Sequence, residues 1–299
     1  MKRFLLLLGL FVTMFQTTFS QKADKDKSDR EESYMLLDLS YTNDAVFMGR
    51  KDSIAAPYIL PSIGYYDKSG LFADATVSYL TGSEEWRVDL FYFTGGYLFD
   101  VKNWSGGISG TAYFYNNASY NVQSEVVADI TGLLSYDFKG AELSLYVSSY
   151  FNKNSSPDIF IGTILDRTFY FMDRRLLISP RISAFAGSQY FYEEYYTTSR
   201  LGNRKSANSG QGSGQGGISD PVLQVSSVQI SEASEFNILN AELSIPVQYQ
   251  FDQFIVSFTP TWAFPQTSAT LTTDTDVFEE NLKNVFYWSL GLSYWFELK

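Results

Sequence analysis

The segment from Asn284 to Phe296 alternates between two kinds of side chain. Apolar and aromatic residues take every second position, and mainly small, polar or mixed residues take the positions between them: Phe286, Trp288, Leu290, Leu292, Tyr294 and Phe296 against Tyr287, Ser289, Gly291, Ser293 and Trp295. A period of two is the pattern of a β-strand with one apolar face. The pattern recurs along nearly the whole chain from Tyr34 onward. Because a bilayer favours apolar residues facing outward around a polar interior, the sequence predicts a membrane-spanning β-barrel.

The N-terminus has the features of an export signal. A basic head, Met1 to Arg3, precedes an apolar run from Phe4 to Phe15 and a short polar end. We predict a secretory signal peptide over residues 1–20, cleaved near Ser20 or Gln21. The alternative, a membrane anchor, is disfavoured because the apolar run is shorter than the roughly 20 residues a spanning helix needs. The chain has no Cys, which excludes a disulfide framework and a lipid-bearing cysteine after the signal.

Charge and composition exclude one class of partner and support the barrel. The net charge is -11 for the full chain and becomes -13 when Lys2 and Arg3 leave with the signal, so we expect no nucleic-acid partner. Aromatic residues make up 17% of the chain, yet the mean hydropathy is only -0.12. A barrel reconciles these values, because its lumen and loops are polar while its outer band and interfacial girdles are apolar and aromatic.

We predict a charged, flexible lead-in over residues 21–33 and a single all-β domain over residues 34–299. The domain is a single antiparallel transmembrane β-barrel of about 12 strands, with 10 or 14 as alternatives. The predicted strands are 34–44, 58–66, 70–81, 86–99, 104–116, 124–138, 141–152, 159–172, 176–192, 236–251, 254–265 and 284–297.

The connections between these strands alternate in length. Five are tight and rich in turn formers, and five of the other six are longer than any of them. This alternation predicts short periplasmic turns, longer extracellular loops and both termini in the periplasm. The longest external loop, 197–235, contains the Gly/Ser-rich run Ser206 to Gly217, which we interpret as a disordered tip, with a constriction in the barrel mouth as the alternative.

The strand period also predicts which polar residues face the lumen. The candidates for lining it are Asp74, Arg87, Asp89, Asp129, Asp137, Glu142, Arg181, Glu242 and Gln248. In 159–172 the adjacent Asp166 and Arg167 fall on opposite faces, so the register of this strand, and with it the residues that face the lumen, is not assigned. The charged candidates either line an open pore or pair across a filled lumen, which the inward tyrosines would also fill: Tyr113, Tyr115, Tyr146 and Tyr150.

The C-terminal strand resembles the last-strand signal of bacterial outer-membrane barrels. The matching positions are a polar residue, a glycine two positions later and aromatics five and seven positions later: Ser289, Gly291, Tyr294 and Phe296. The resemblance implies periplasmic chaperones and the barrel-assembly machinery as partners during biogenesis, and outer-membrane lipid afterwards. In the alternative interpretation Gly291 relieves crowding and the aromatics form the periplasmic girdle. One departure is that Glu297 to Lys299 follow the last aromatic. The whole mature chain resembles small outer-membrane barrels of the Bacteroidota type.

The residues needed for common catalytic chemistry are missing. The chain has no His, which excludes Ser-His-Asp triads and the His-dependent outer-membrane lipid hydrolases. Asp129 and Asp137 are eight residues apart on one strand, about 26 Å, too far for glycoside hydrolysis. The acidic residues are also too scattered to predict a metal site. We therefore expect no enzyme, no cofactor and no metal.

Two functional hypotheses remain from different classes. About 12 strands favour a narrow porin-like channel for small polar or cationic solutes, because acidic residues outnumber basic ones among the lumen candidates. The alternative is a non-conducting structural or surface-interaction barrel that acts through its external loops. The aromatic stretch Tyr190 to Tyr192, followed by Tyr195 and Tyr196, is expected to be a girdle or strand extension. A transporter of hydrophobic solutes is disfavoured by the polar inner faces, and a siderophore-type receptor by the small number of strands.

Overall fold

A computed structural model describes residues 32–52, 54–82, 86–195, 228–231, 233–273 and 277–298. The predicted signal peptide, most of the lead-in 21–33 and the Gly/Ser-rich part of the loop 197–235 lie outside the described residues. The described residues form eighteen strand segments and one short helix: β1 (Tyr34–Thr42), β2 (Tyr58–Tyr66), β3 (Leu71–Leu80), β4 (Arg87–Val101), β5 (Trp104–Tyr115), β6 (Val126–Asp137), β7 (Glu142–Asn152), β8 (Asp158–Asp166), β9 (Phe169–Phe171), β10 (Leu176–Ile178), β11 (Arg181–Gly187), α1 (Tyr190–Tyr195), β12 (Val228–Ile230), β13 (Asn237–Ser244), β14 (Val247–Phe251), β15 (Phe254–Pro265), β16 (Thr270–Thr273), β17 (Val277–Glu279) and β18 (Val285–Glu297).

Twelve antiparallel strands form a closed barrel. Each wall strand pairs with its neighbours in chain order, and β1 pairs with β18 from Tyr34 opposite Glu297 to Thr42 opposite Ser289. Three wall strands are interrupted and consist of two segments each, namely β8 with β9, β10 with β11, and β13 with β14. The prediction of a single 12-strand antiparallel barrel is confirmed.

The predicted strand 176–192 is wrong at its C-terminal end. The strand stops at Gly187, and Tyr190 to Tyr195 form the helix α1, with Phe191 buried rather than at an outer girdle. The cause is a tertiary contact, because the Asp158 carboxylate accepts hydrogen bonds from the Ser188 hydroxyl and from the backbone N–H groups of Tyr190 and Phe191. These bonds turn the chain inward and cap the first turn of the helix.

The connection predicted as a plain loop between β15 and β18 contains further strands. β16 pairs with β12 and with β17, and the three form a small separate sheet. The sequence period did not indicate these strands, since each has only three or four residues.

The two ends of the barrel differ. At one end, the turn end, the connections are short, and several of their residues adopt a positive φ, including Lys102, Lys139 and Asp252. The other end, the loop end, carries the longer connections. The backbone N–H of Leu298 donates to the carbonyl of Ser33 over 2.8 Å, so the first and last described residues meet at the turn end. Among the described residues, no helix has the length and apolar character to span a membrane.

The outer face of the barrel is an apolar surface. Large apolar side chains at alternate positions are exposed all round the wall, for example Leu39 at 51%, Phe93 at 51%, Ile130 at 52% and Leu165 at 51%. Their strand neighbours face inward and are buried or half-buried. A continuous exposed apolar surface of this kind marks contact with a nonaqueous environment.

Candidate functional site: the barrel interior

The structure distributes the predicted lumen residues over the inner wall rather than gathering them in one cluster. Asp89, Asp129, Arg181, Glu242 and Gln248 are each less than a tenth exposed. The other four are half-buried on the same inward period: Asp74, Arg87, Asp137 and Glu142. Their use in conduction stays a prediction.

Rings pack along one side of the interior, which we call the aromatic wall and define as the inner faces of β2 to β8. A single apolar cluster extends from the turn end to the loop end and contains Tyr66, Phe72, Tyr92, Tyr113, Tyr146, Tyr150 and Phe160, with Tyr115 packed against it. The Tyr150 and Phe160 ring centroids are 5.2 Å apart in an edge-to-face arrangement. This side of the lumen is therefore filled by its own wall.

The opposite side, which we call the polar wall, consists of the inner faces of β13, β14, β15, β18 and β1. Its buried side chains are mainly short and hydroxylated: Ser40, Thr42, Ser244, Ser257, Thr259, Thr261, Ser289 and Ser293. Gly291 also lies here. A Cβ on Gly291 would come within 2.6 Å of Ser257 Oγ, so the absence of a side chain relieves crowding at this position.

A tight turn from the first long connection closes the loop end. We call Phe47 to Arg50 the plug turn. Its ends exchange backbone hydrogen bonds of 2.7 and 2.9 Å, and Met48 and Gly49 adopt φ values of 47° and 77°. The Phe47 ring enters the apolar cluster, 5.6 Å from the Phe160 ring. The plug turn therefore continues the aromatic wall across the mouth.

Arg50 fixes the plug turn to two other connections. Its guanidinium forms an ion pair of 3.0 Å with Glu280, donates to the Thr267 carbonyl over 2.6 Å and lies 4.9 Å above the Tyr192 ring. The Tyr192 hydroxyl also donates to Glu280 over 2.9 Å. Removing one partner of such a buried pair leaves an uncompensated charge, so this contact ties the plug turn firmly to the connections that carry Glu280 and Tyr192. The sequence period missed Arg50 and Glu280 because both lie outside the wall strands.

Several acidic residues near the loop end hold neighbouring connections in place. Asp89 accepts hydrogen bonds from Tyr58, Ser119 and Arg87, which brings together two of the predicted lumen residues, Arg87 and Asp89. Glu125 pairs with Lys153 at 3.1 Å. These carboxylates have paired, loop-positioning roles.

Near the turn end, acidic side chains occupy neighbouring strands. Asp137 lies opposite Glu142, Glu142 opposite Asp166, and Asp166 opposite Arg181. All four share the inward period, which places Asp166, unassigned from the sequence, on the inner face. The row therefore contains three carboxylates and one arginine.

No protein-family model matches the sequence, and the search of curated proteins finds no match. Solved structures similar to this chain include a KdgM porin, at 8% identity and a TM-score of 0.47, covering 87% of this chain and 98% of that chain. The NanC porin matches at 9% identity and a TM-score of 0.45, over 87% and 98% of the two chains. LpxR from Salmonella typhimurium matches at 9% identity and a TM-score of 0.42, over 87% and 99%.

Proposed function

We propose that this chain is an outer-membrane β-barrel that acts as a narrow porin-like channel for small polar or cationic solutes. The conformation described here is its closed state. The observation that carries the proposal is that connecting segments, and not the barrel wall, close the loop end. These segments are held together through Arg50 and Glu280. Such segments can move while the hydrogen-bonded wall stays intact.

The placement in the membrane rests on the outer surface and the ends of the chain. The exposed apolar side chains would contact outer-membrane lipid. The export signal over residues 1–20 would direct the chain across the inner membrane, and the turn end, with both chain ends, would face the periplasm. Ser289, Gly291, Tyr294 and Phe296 would be recognised by the barrel-assembly machinery.

The preference for cations rests on the inner wall. The acidic row at the turn end and the buried Asp129 and Glu242 lie along the interior, with Arg181 as their basic neighbour. Solutes that pass would be small, because the aromatic wall occupies one side of the lumen.

A second candidate function is a non-conducting barrel that binds a surface partner through its long connections. The packed aromatic cluster favours it, since the cluster runs through the interior. The small sheet of β12, β16 and β17 offers ordered structure among the connections for such a contact.

Single-channel recording separates the two candidates. The refolded mature protein is placed in planar bilayers with cation and anion gradients, and Arg50→Ala is compared with Lys51→Ala. Lys51 is the matched control because it is the adjacent basic residue and its side chain is exposed where it pairs with Asp44, whereas that of Arg50 is buried. We expect brief, cation-preferring openings in the wild type and a higher open probability in Arg50→Ala alone. Neutralising Asp129 and Glu242 should weaken the preference.

Silence of both the wild type and Arg50→Ala, with correct folding shown by heat-modifiable gel migration, would contradict the channel. Deleting residues 200–217, which lie outside the described residues, then tests the second candidate. Loss of cell-surface binding by a correctly folded deletion variant supports it.

A further inference from the structure

Three prolines lie side by side in successive wall strands. Pro180 separates β10 from β11, Pro246 separates β13 from β14, and Pro260 lies within β15. The register places them opposite Arg167, Ser179 and Ile245, respectively. Each proline carbonyl accepts one hydrogen bond from the residue opposite: Arg167 N–H at 3.2 Å, Ser179 N–H at 2.9 Å and Ile245 N–H at 3.2 Å.

None of these pairs can form its second bond. Directly opposed residues of this type in an antiparallel ladder normally exchange two hydrogen bonds, and proline has no N–H to return. Three consecutive interfaces therefore each lack one bond at the same level. Three of the four strands crossed at this level, all but β15, are interrupted there. We call this line of pairs the proline seam.

The seam lies within the apolar outer surface. Exposed apolar side chains flank it toward the loop end, at Ile182, Leu243 and Trp262, and toward the turn end, at Tyr249 and Val256. Lipid offers no hydrogen bonds to an opened ladder, so wall strands in a membrane are normally fully paired. A line of missing bonds at this depth weakens the wall locally.

Acceptor groups lie behind the seam and, in the case of Glu242, three residue positions from it toward the loop end. Among the residues that the structure describes, Thr259 Oγ1, Thr261 Oγ1 and Glu242 Oε2 are buried polar atoms with no hydrogen-bond partner. The two threonines flank Pro260, and Glu242 is 4% exposed. The other Glu242 oxygen accepts from Asn240 Nδ2 over 2.7 Å and from the Tyr287 hydroxyl over 3.4 Å.

A buried carboxylate oxygen without a partner is costly, and a donor that reached it would be bound strongly. The nearest basic side chain is Arg181 on β11, which itself lies opposite Asp166. A protonated amine offers several N–H donors and the opposite charge, which matches the free carboxylate oxygen of Glu242 and the hydroxyl of Thr261, two register positions away on the neighbouring strand. A carboxylate head group offers neither.

We propose that the proline seam is a lateral entry site for an amphiphile with a protonated amine head group. The head passes between the strands toward Glu242, Thr259 and Thr261, while the alkyl chain stays in the bilayer against the exposed side chains of the seam. The site does not depend on solute conduction along the barrel axis. It is therefore separate from the proposed channel and is tested without measuring current.

The test uses electron paramagnetic resonance on the protein in lipid nanodiscs. The probe is a long-chain alkylamine with a nitroxide close to the amino group, compared with the matching fatty acid. Four proteins are compared: the wild type, Glu242→Gln, the triple variant P180A/P246A/P260A and Pro61→Ala. Pro61 is the matched control because it lies in the uninterrupted strand β2. Hydrogen exchange at residues 178–182 and 244–248 is measured against residues 90–94 of the aromatic wall.

We expect a motionally restricted amine signal in the wild type and in Pro61→Ala, with no comparable signal from the fatty acid. Glu242→Gln should bind the amine about tenfold more weakly, since a hydrogen bond to a charged group is lost. The triple variant should lose the restricted signal, and exchange at the seam should slow toward that of the aromatic wall.

Three results would overturn the proposal. One is equal restriction of the amine and the fatty acid, and another is an unchanged amine signal in the triple variant. The third is wild-type exchange at the seam as slow as in residues 90–94. The triple variant gains N–H donors, so its correct folding is expected and is checked by the same gel migration.

Discussion

The aromatic wall and the polar wall line the interior of the same barrel with different kinds of side chain. Both are built from strands with a period of two, and both present apolar residues outward. The aromatic wall fills the space behind it with rings, and its strands β2 to β7 each run without interruption. The polar wall carries short side chains and meets the proline seam, and two of its threonine hydroxyls have no hydrogen-bond partner among the described residues. The outward pattern therefore specifies the barrel, and the inward residues decide which part is rigid.

The largest effect is expected from truncating a ring in the aromatic wall. Phe160→Ala removes a fully buried side chain that contacts Tyr150 and Phe47, so it should lower the free energy of unfolding by about 3–5 kcal/mol. Urea unfolding in lipid vesicles measures this. Ile159→Ala, the lipid-facing neighbour, is the control and should cost much less. Equal losses would show that the rings do not form a packed core.

A smaller effect is expected from adding a methyl group to a glycine on each wall. A Cβ at Gly162 would lie 2.5 Å from the Phe185 ring, whereas one at Gly291 would meet only the rotatable Ser257 hydroxyl. Gly162→Ala should therefore cost about 1–3 kcal/mol, and Gly291→Ala less. The same unfolding assay applies, with Gly140→Ala as the control in open space. A larger loss for Gly291→Ala would reverse the ranking of the two walls.

Removing a hydroxyl should have opposite signs on the two walls. Thr94 and Thr111 share a hydrogen bond of 3.1 Å in the aromatic wall, so Thr111→Val should destabilise by about 1 kcal/mol. Thr261 Oγ1 has no partner among the described residues, so Thr261→Val should be neutral or slightly stabilising. The unfolding midpoints of the two variants, each compared with the wild type, test this difference. Destabilisation by Thr261→Val would mean that its hydroxyl is satisfied.

The smallest effect concerns a turn outside the wall. Hydrogen bonds from Ser69, and further ones from Tyr65 and Ser33, hold the pKa of Asp67 well below its usual range. A lowered pKa stabilises the fold above the unfolded pKa of about 3.9, and this contribution is lost as the pH falls through the folded value. The wild type should therefore exceed Asp67→Asn in unfolding midpoint at pH 6, and the difference should shrink toward pH 2. A constant difference would contradict this.

The wall was predictable because its signal is local. Within each strand, as in β6 and β18, the alternation of residues shows which side chains face outward and which face inward. The strand's pairing partners and its position in the membrane did not have to be known. The interruption of β10 and β11 at Pro180 was visible as a proline but was not predicted as a break. Its alignment with Pro246 and Pro260 depends on the register between strands, which a single strand does not encode.

The arrangement of the connecting segments at the loop end was not predictable, and the physical reason is different. The aromatic stretch Tyr190 to Tyr192 has strand-like composition, and Asp158 on another strand turns it into a helix. The pairing of Arg50 with Glu280 joins residues from the first and last long connections. Such contacts depend on which segments the barrel brings together, and neither segment carries a period that reveals its partner.

The contact between Arg50 and Glu280 also has a consequence for the order of folding. The two residues are separated by 230 positions, and Glu280 lies shortly before the strand β18, which closes the barrel against β1. Loop-closure entropy over that distance delays the contact until nearly the whole chain has assembled. A nascent barrel with β18 still unpaired would therefore have an unlocked mouth, and the seal would form last.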